Sequence, residues 1–268
     1  MTPPEAYPIK LRMKEYGLVS IITPCYNCAP FVADTIRSVQ RQTYQDWEMI
    51  IIDDMSTDQS VERIKPFLSD HRIKLLENAR NEGAALTRNH ALRLAQGRWV
   101  AFLDADDQWM PEKLERQLDF MDREGYAFSY TDYTETNEFG HDLGTRVSGP
   151  ACIGPRGMQR YCWPGCLTVM YDRRVVGLLQ IPDIRKNNDY AMWLRVIRKA
   201  PCHLLPQTLA IYRQRPGSIS GQTWFSLVEW HYRLFRHTEG YGRICSLLLT
   251  AQNMVCGLYK KLVYVKKL

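Results

Sequence analysis

Four short, mainly apolar runs set the rhythm of the first hundred residues: Leu18 to Thr23, Trp47 to Ile52, Ile73 to Leu76 and Trp99 to Leu103. Runs that are apolar on both sides suit strands buried on both faces, as in a parallel sheet. Between them the apolar residues return at helical spacing. Phe31, Val32, Ile36 and Val39 do so within Pro30 to Gln42. Ser60 to Leu68 and Gly83 to Ala95 follow, the latter stopped by Gly97. Strand and helix alternate four times over about ninety residues. That order predicts βαβ units in a Rossmann-like, doubly wound parallel sheet flanked by helices. The carboxyl ends of the strands then share one edge, where open α/β sheets hold a nucleotide-type ligand.

The second half loses this regularity. Helices are expected over Met110 to Glu124, Pro155 to Tyr161 and Asp189 to Lys199. Short strands are expected over Tyr126 to Tyr133, Leu143 to Ser148, Leu167 to Tyr171, Cys202 to Leu205 and Leu209 to Tyr212. Thr223 to Phe235 and Arg243 to Lys261 read as helices outside the sheet. The expected organisation is an N-terminal extension over 1–17, an α/β catalytic domain over 18–221 and a helical tail over 222–268.

Composition changes this picture in two places. The 268 residues are 45% apolar and 24% charged, an ordinary globular balance with no run long enough to cross a membrane. The first sixteen residues lack a secretory leader's apolar core, so a cytoplasmic chain is expected. The net charge of +6 is uneven, because from Pro216 onward seven Lys and Arg face two Glu. A basic tail ending in Tyr259-Lys-Lys-Leu-Val-Tyr-Val-Lys-Lys-Leu268 suits the inner membrane surface, against a plainly solvated end. Nucleic acid is not expected as a partner, since basic and aromatic residues do not interleave on one surface. Eight cysteines should stay reduced in the cytoplasm. Cys25-x-x-Cys28 with Cys162-x-x-x-Cys166 has zinc-site spacing, against ordinary free thiols.

The chemistry gathers at the strand ends. Asp104, Asp106 and Asp107 close the fourth strand. In extended backbone Asp104 and Asp106 point to one side, and two converging carboxylates need a cation. Their hard oxygens suit Mg²⁺ or Mn²⁺ shared with a phosphate. The alternative is an acidic turn, with Asp107 capping the next helix. Pro24 and Asn27 fix a loop after the first strand, and Tyr26 there suits a planar base. Asp53 and Asp54 end the second strand, where a carboxylate accepts a nucleobase N–H or shapes an Asx turn. Asp58 reads as the cap of the helix starting near Ser60. Arg80, Asn81, Gly83 and Arg88 surround the start of the third helix, a place that favours anions.

Six pieces, in order, carry a resemblance. They are Ser20-Ile-Ile-Thr-Pro-Cys-Tyr-Asn27, Ile51-Ile-Asp-Asp-Met-Ser-Thr-Asp58, Asn78-Ala-Arg-Asn-Glu-Gly83 with Thr87-Arg-Asn89, and Phe102-Leu-Asp-Ala-Asp-Asp107. Asn188-Asp-Tyr-Ala-Met-Trp-Leu-Arg195 and Tyr212-Arg213 with Gly217-Ser-Ile-Ser220 complete the set. The chain resembles an inverting family 2 glycosyltransferase of the GT-A fold, in its bacterial polysaccharide branch. The resemblance covers about the first 220 residues and not the tail.

That resemblance implies a nucleotide-binding half over 18–108 and an acceptor half over 109–221. It implies a nucleotide-diphospho sugar donor, with a UDP-hexose expected, and an acceptor that is a glycan or a polyprenyl-diphosphate-linked sugar. It assigns the base to Asp54 beside Asp53, and the base and diphosphate to Arg88. Asp104 contacts ribose or metal, and Asp106 binds the divalent cation that draws charge from the leaving diphosphate. Asp189 becomes the general base, where residue chemistry alone also allows a helix cap. Two departures stand out: Asn188 where many relatives have Glu, and Arg215 where many have His. A guanidinium cannot ligate a cation, so Arg213 or Arg215 is carried over for phosphate only. Trp193 is assigned to the core ahead of a sugar platform. A sugar-phosphate nucleotidylyltransferase is the rival enzyme, disfavoured by a first loop without Gly, Lys or Arg. A non-catalytic nucleotide- or glycan-binding module is the second rival.

Overall fold

A computed structural model describes residues 14–215 and 224–268. The loop Gly217 to Ser220 lies outside the described residues, as does most of the expected N-terminal extension. The first half runs β1 (Val19–Cys25), α1 (Val32–Gln40), β2 (Trp47–Asp53), α2 (Ser60–Ile64), β3 (Ile73–Glu77), α3 (Ala84–Leu94) and β4 (Trp99–Phe102). The middle adds β5 (Gln108–Trp109), α4 (Lys113–Glu124), β6 (Phe128–Thr136), β7 (Asp142–Val147), β8 (Cys152–Ile153), α5 (Pro155–Arg160), β9 (Met170–Asp172) and α6 (Arg173–Val176). The last part comprises α7 (Asn188–Val196), β10 (Cys202–Arg213), α8 (Trp224–Arg233), α9 (Arg243–Val263) and β11 (Val265–Lys267).

One sheet carries both halves, in the order β11-β7-β6-β9-β4-β1-β2-β3, with β10 beside β6 and β5 and β8 on β10. The expected parallel part is present: β4, β1, β2 and β3 all pair in parallel. Every residue of β2 is buried, as suits its mainly apolar run, with Glu48 held inside by the Ser20 hydroxyl at 2.6 Å and Lys74 at 2.8 Å. From β9 onward the pairing turns antiparallel, except β10 against β6. Two expected short strands, Cys202 to Leu205 and Leu209 to Tyr212, are one strand, β10. Register shifts between Leu205 and Ala210 take up the break.

Two cores sandwich the sheet. One holds α3 and α7, where Trp193 is fully buried and meets Phe102 edge-on at 5.0 Å. That seals Trp193 in the core, away from any sugar. The other holds α1 and α4 against the opposite face. Gly97 follows α3 because a Cβ there would lie 2.6 Å from the carbonyl oxygen of Leu18 and 2.6 Å from the amide nitrogen of Ser20. The stretch before β1 is not a loose extension at its inner end. Tyr16 is buried, and its carbonyl accepts the Trp99 indole N–H at 3.0 Å. No helix among the described residues is long and apolar enough to cross a membrane.

Candidate active site

The loops after β1, β2, β3 and β4 meet at the carboxyl edge of the sheet. Asn27 takes a positive φ of 50°, and its side-chain oxygen accepts the Thr57 amide at 2.8 Å. Pro24 pairs with Ile52 at the end of β1 and is partly exposed; Tyr26 is 46% exposed, with its ring open to a ligand. Asp53 is buried and turned inward on Ser56, accepting its amide at 2.8 Å and its hydroxyl at 2.5 Å. This is the Asx turn that the residue types allowed. Asp58 accepts the Ser60 amide at 2.9 Å, but the N-cap position of α2 belongs to Gln59, so Asp58 shapes the turn before the helix and is not its cap.

Asp54 organises the next loop. Its Oδ1 accepts Asn78 Nδ2 and the Glu82 amide, each at 2.8 Å, and its Oδ2 accepts the Gly83 amide at 2.8 Å. Asp54 is 3% exposed, and these three bonds fill most of the roughly four acceptor positions a carboxylate has. Arg80 projects into solvent with its side chain 82% exposed.

Arg88 is where the site departs from an exposed phosphate arm. It is 6% exposed, and its guanidinium bonds Oδ1 of Asp104 and the side-chain oxygen of Asn188. Its Nε has no partner among the described residues. One cation from α3 therefore ties the loop after β4 to the first turn of α7. Asn187, at a positive φ of 57°, occupies the N-cap position of α7, so Asp189 is not the cap. It lies in the first turn, within the electrostatic reach of Arg88 and Asp104. Burial raises its carboxyl above the ordinary aspartate value, and Arg88 opposes the rise.

In the Asp104 to Asp107 loop, Asp104 and Asp106 each have an arginine side chain as partner, whereas Asp107 is met by a backbone amide. Arg215 Nε lies 2.5 Å from Asp106 Oδ2. Burial and the charge of Asp104 push the Asp106 carboxyl up, and Arg215 pulls it down. Asp107 is 2% exposed and accepts the Arg213 amide at 2.9 Å. It therefore anchors the end of β10; the N-cap position of α4 belongs to Glu112. Arg213 is itself 6% exposed, with its Nε on the Asp106 carbonyl at 3.0 Å and Nη1 on the Glu138 carbonyl at 3.0 Å. Its guanidinium is committed to holding the loop. Of the two arginines, Arg215 is the one placed beside the carboxylates. The sequence offered β10's alternating pattern but no sign that Arg213 would turn inward.

The chemistry of Asp104 and Asp106 fits a hard divalent ion. Mg²⁺ and Mn²⁺ need only one or two protein carboxylates when a diphosphate and water complete the shell. Among the described residues no group of three or more His, Cys, Asp or Glu is placed to hold a metal. The eight cysteines are free thiols, with Cys25 and Cys28 buried beside one another.

The model for glycosyl transferase family 2 matches residues 20–165. The chain belongs to this family. It is 42% identical over 209 residues to the putative teichuronic acid biosynthesis glycosyltransferase TuaG of Bacillus subtilis, covering 77% of this chain and 83% of that one. It is 39% identical over 186 residues to the UDP-Glc:α-D-GlcNAc-diphosphoundecaprenol β-1,3-glucosyltransferase WfgD of Escherichia coli, covering 69% and 72%. Among solved structures, S. aureus TarS 1-349 in complex with UDP-GlcNAc superposes with a TM-score of 0.69 at 19% identity, covering 88% of this chain and 71% of that one. The GT-A fold and the glycosyltransferase activity follow, and both rival readings fall.

Proposed function

We propose that this glycosyltransferase moves a hexose from a UDP-sugar, with inversion, to a lipid-linked glycan during bacterial surface-polysaccharide synthesis. The observation that carries the reading is the Arg88 bridge. It holds Asp104, on the loop that would take the diphosphate, against Asn188, next to Asp189. Donor and acceptor chemistry thus share one guanidinium's width.

Asp189 accepts the proton of the acceptor hydroxyl on a carboxylate oxygen as that oxygen attacks the anomeric carbon. Attack from the side opposite the diphosphate inverts the configuration. Tyr26 covers the base, and Asp54 accepts its N–H. Asp104 and Asp106 would hold Mg²⁺ or Mn²⁺, which supplies Lewis-acid stabilisation of the leaving diphosphate. Arg215 and Arg80 add positive charge for the phosphates. An open groove beside the loop entering α7, lined in part by Asp183, Arg185, Trp230, Tyr232, Arg233 and His237, offers aromatic and charged groups to a glycan acceptor. The WfgD name supports a diphosphoundecaprenol-linked acceptor.

The test is UDP release from UDP-glucose with Mn²⁺ and a GlcNAc-diphospholipid analogue. Asp106→Ala and Asp189→Ala should each lose about 10²-fold or more in turnover. Full turnover in either variant, or no UDP release from any UDP-hexose, overturns the assignment.

A further inference from the structure

Helix α9 is turned inside out. Its buried residues are the polar Ser246, Thr250, Asn253 and Lys260. Two of them reach the body of the protein: Asn253 Nδ2 donates to the Tyr190 hydroxyl at 3.0 Å, and Lys260 Nζ donates to the Trp163 carbonyl at 2.7 Å. Leu249 and Cys256 pack partly against the core, and most of the other large apolar side chains face the other way. Ile244 is 76% exposed, Leu247 60%, Leu248 66%, Val255 65%, Leu258 55% and Leu262 84%. At 3.6 residues per turn these six positions fall on one face and form a stripe about 27 Å long. A folded chain does not leave such a stripe in water without a partner.

The charge around the stripe selects the partner. Residues 240–268 contain Arg243, Lys260, Lys261, Lys266 and Lys267, and no Asp or Glu. Lys260 is buried, and the exposed charged residues of this stretch, Arg243, Lys261, Lys266 and Lys267, are all basic. Two copies meeting across this face would bring like charges together. An anionic surface would not.

We infer that α9 lies flat on an anionic lipid bilayer, its apolar stripe in the acyl boundary and its basic rim on the headgroups. The helix does not span the bilayer. Its inner face grips the acceptor half through Tyr190 of α7, one residue from Asp189, so the membrane contact and the candidate base share a rigid support. This rests on the reading of a lipid-linked acceptor, and it fails separately from it.

The full chain is sedimented with phosphatidylglycerol–phosphatidylethanolamine vesicles and with phosphatidylcholine vesicles. The wild type should pellet with the anionic vesicles at least about tenfold more strongly, and less so as salt rises. The triple variant Leu247→Ser, Val255→Ser, Leu262→Ser should stay in the supernatant while keeping UDP release with a short, water-soluble acceptor. Equal pelleting of variant and wild type overturns the inference. So does a wild-type dimer that the triple variant dissolves without any vesicle binding. Loss of turnover on the soluble acceptor by the wild type sinks the functional proposal instead.

Discussion

Arg88→Met is the most informative single change in the site. It removes the guanidinium from between Asp104 and Asn188 while keeping a long apolar side chain in α3. Breaking a fully buried ion pair costs about 3–5 kcal/mol, because the remaining charge is stranded. Here the Arg88 side chain is 7% exposed but that of Asp104 is 33%, so water reaches the stranded carboxylate. The expected loss is therefore about 2 kcal/mol, with a fall in Tm of several degrees in a chain of this size. Urea unfolding followed by tryptophan fluorescence reads it, and Trp193 on α7 reports from the tied helix itself. Asp104→Asn should be cheap in stability, and the double variant should recover part of the Arg88→Met loss. The coupling energy from the cycle should be at least about 1 kcal/mol. A stability for Arg88→Met within about 0.5 kcal/mol of wild type, or simple additivity, would refute the claim that one cation fastens the two loops.

Three further outcomes are expected. Asp189 works as a base only when ionised, and burial raises its carboxyl. The acid limb of kcat should therefore lie above the ordinary aspartate range, with activity lost as pH falls through it; an acid limb at or below that range argues against Asp189 as the base. Lys260 is pushed down to about 8 by burial, so between roughly pH 8 and 10.5 the unfolded chain holds a proton that the folded chain has shed. Stability attributable to this residue should rise with pH across that window, and Lys260→Met should abolish the rise in denaturation series run side by side. Arg215 occupies Asp106, so Arg215→Ala should bind Mn²⁺ more tightly than wild type in the absence of nucleotide but UDP more weakly. Electron paramagnetic resonance of free Mn²⁺ and calorimetry of UDP check the two halves, and unchanged Mn²⁺ affinity contradicts the role of Arg215 as counter-ion.

The parallel half of the fold was legible because its strands are buried on both faces and carry their own signature. Strand β2 is mainly apolar, broken by Glu48 alone before Asp53, and its ends fell within a residue of the expected ones. The mixed half was harder for a physical reason. Strand β10 alternates partners along its length, so its pattern breaks at the register shifts near Thr208. The two- and three-residue strands β5, β8 and β11 have no periodicity to detect. In the site, the acidic residues announced themselves by position at strand ends. Their partners did not. Nothing in the spacing of Arg88, Arg213 and Arg215 says which one turns inward, because that depends on contacts across sixteen to more than a hundred residues. The tail was expected to be helical and outside the sheet, yet its last residues add β11 to β7, and which side of α9 faced the body was invisible until Tyr190 and Trp163 were seen to receive its polar groups.

Gly97 lies far from every acid in the cleft, yet its backbone slides so near β1 that even one methyl group has no room. Its hydrogen is demanded by crowding, not by an unusual twist of the chain. Position 97 should therefore tolerate drift as poorly as the reactive carboxylates do, and a randomised library screened for nothing but folded protein should return glycine there.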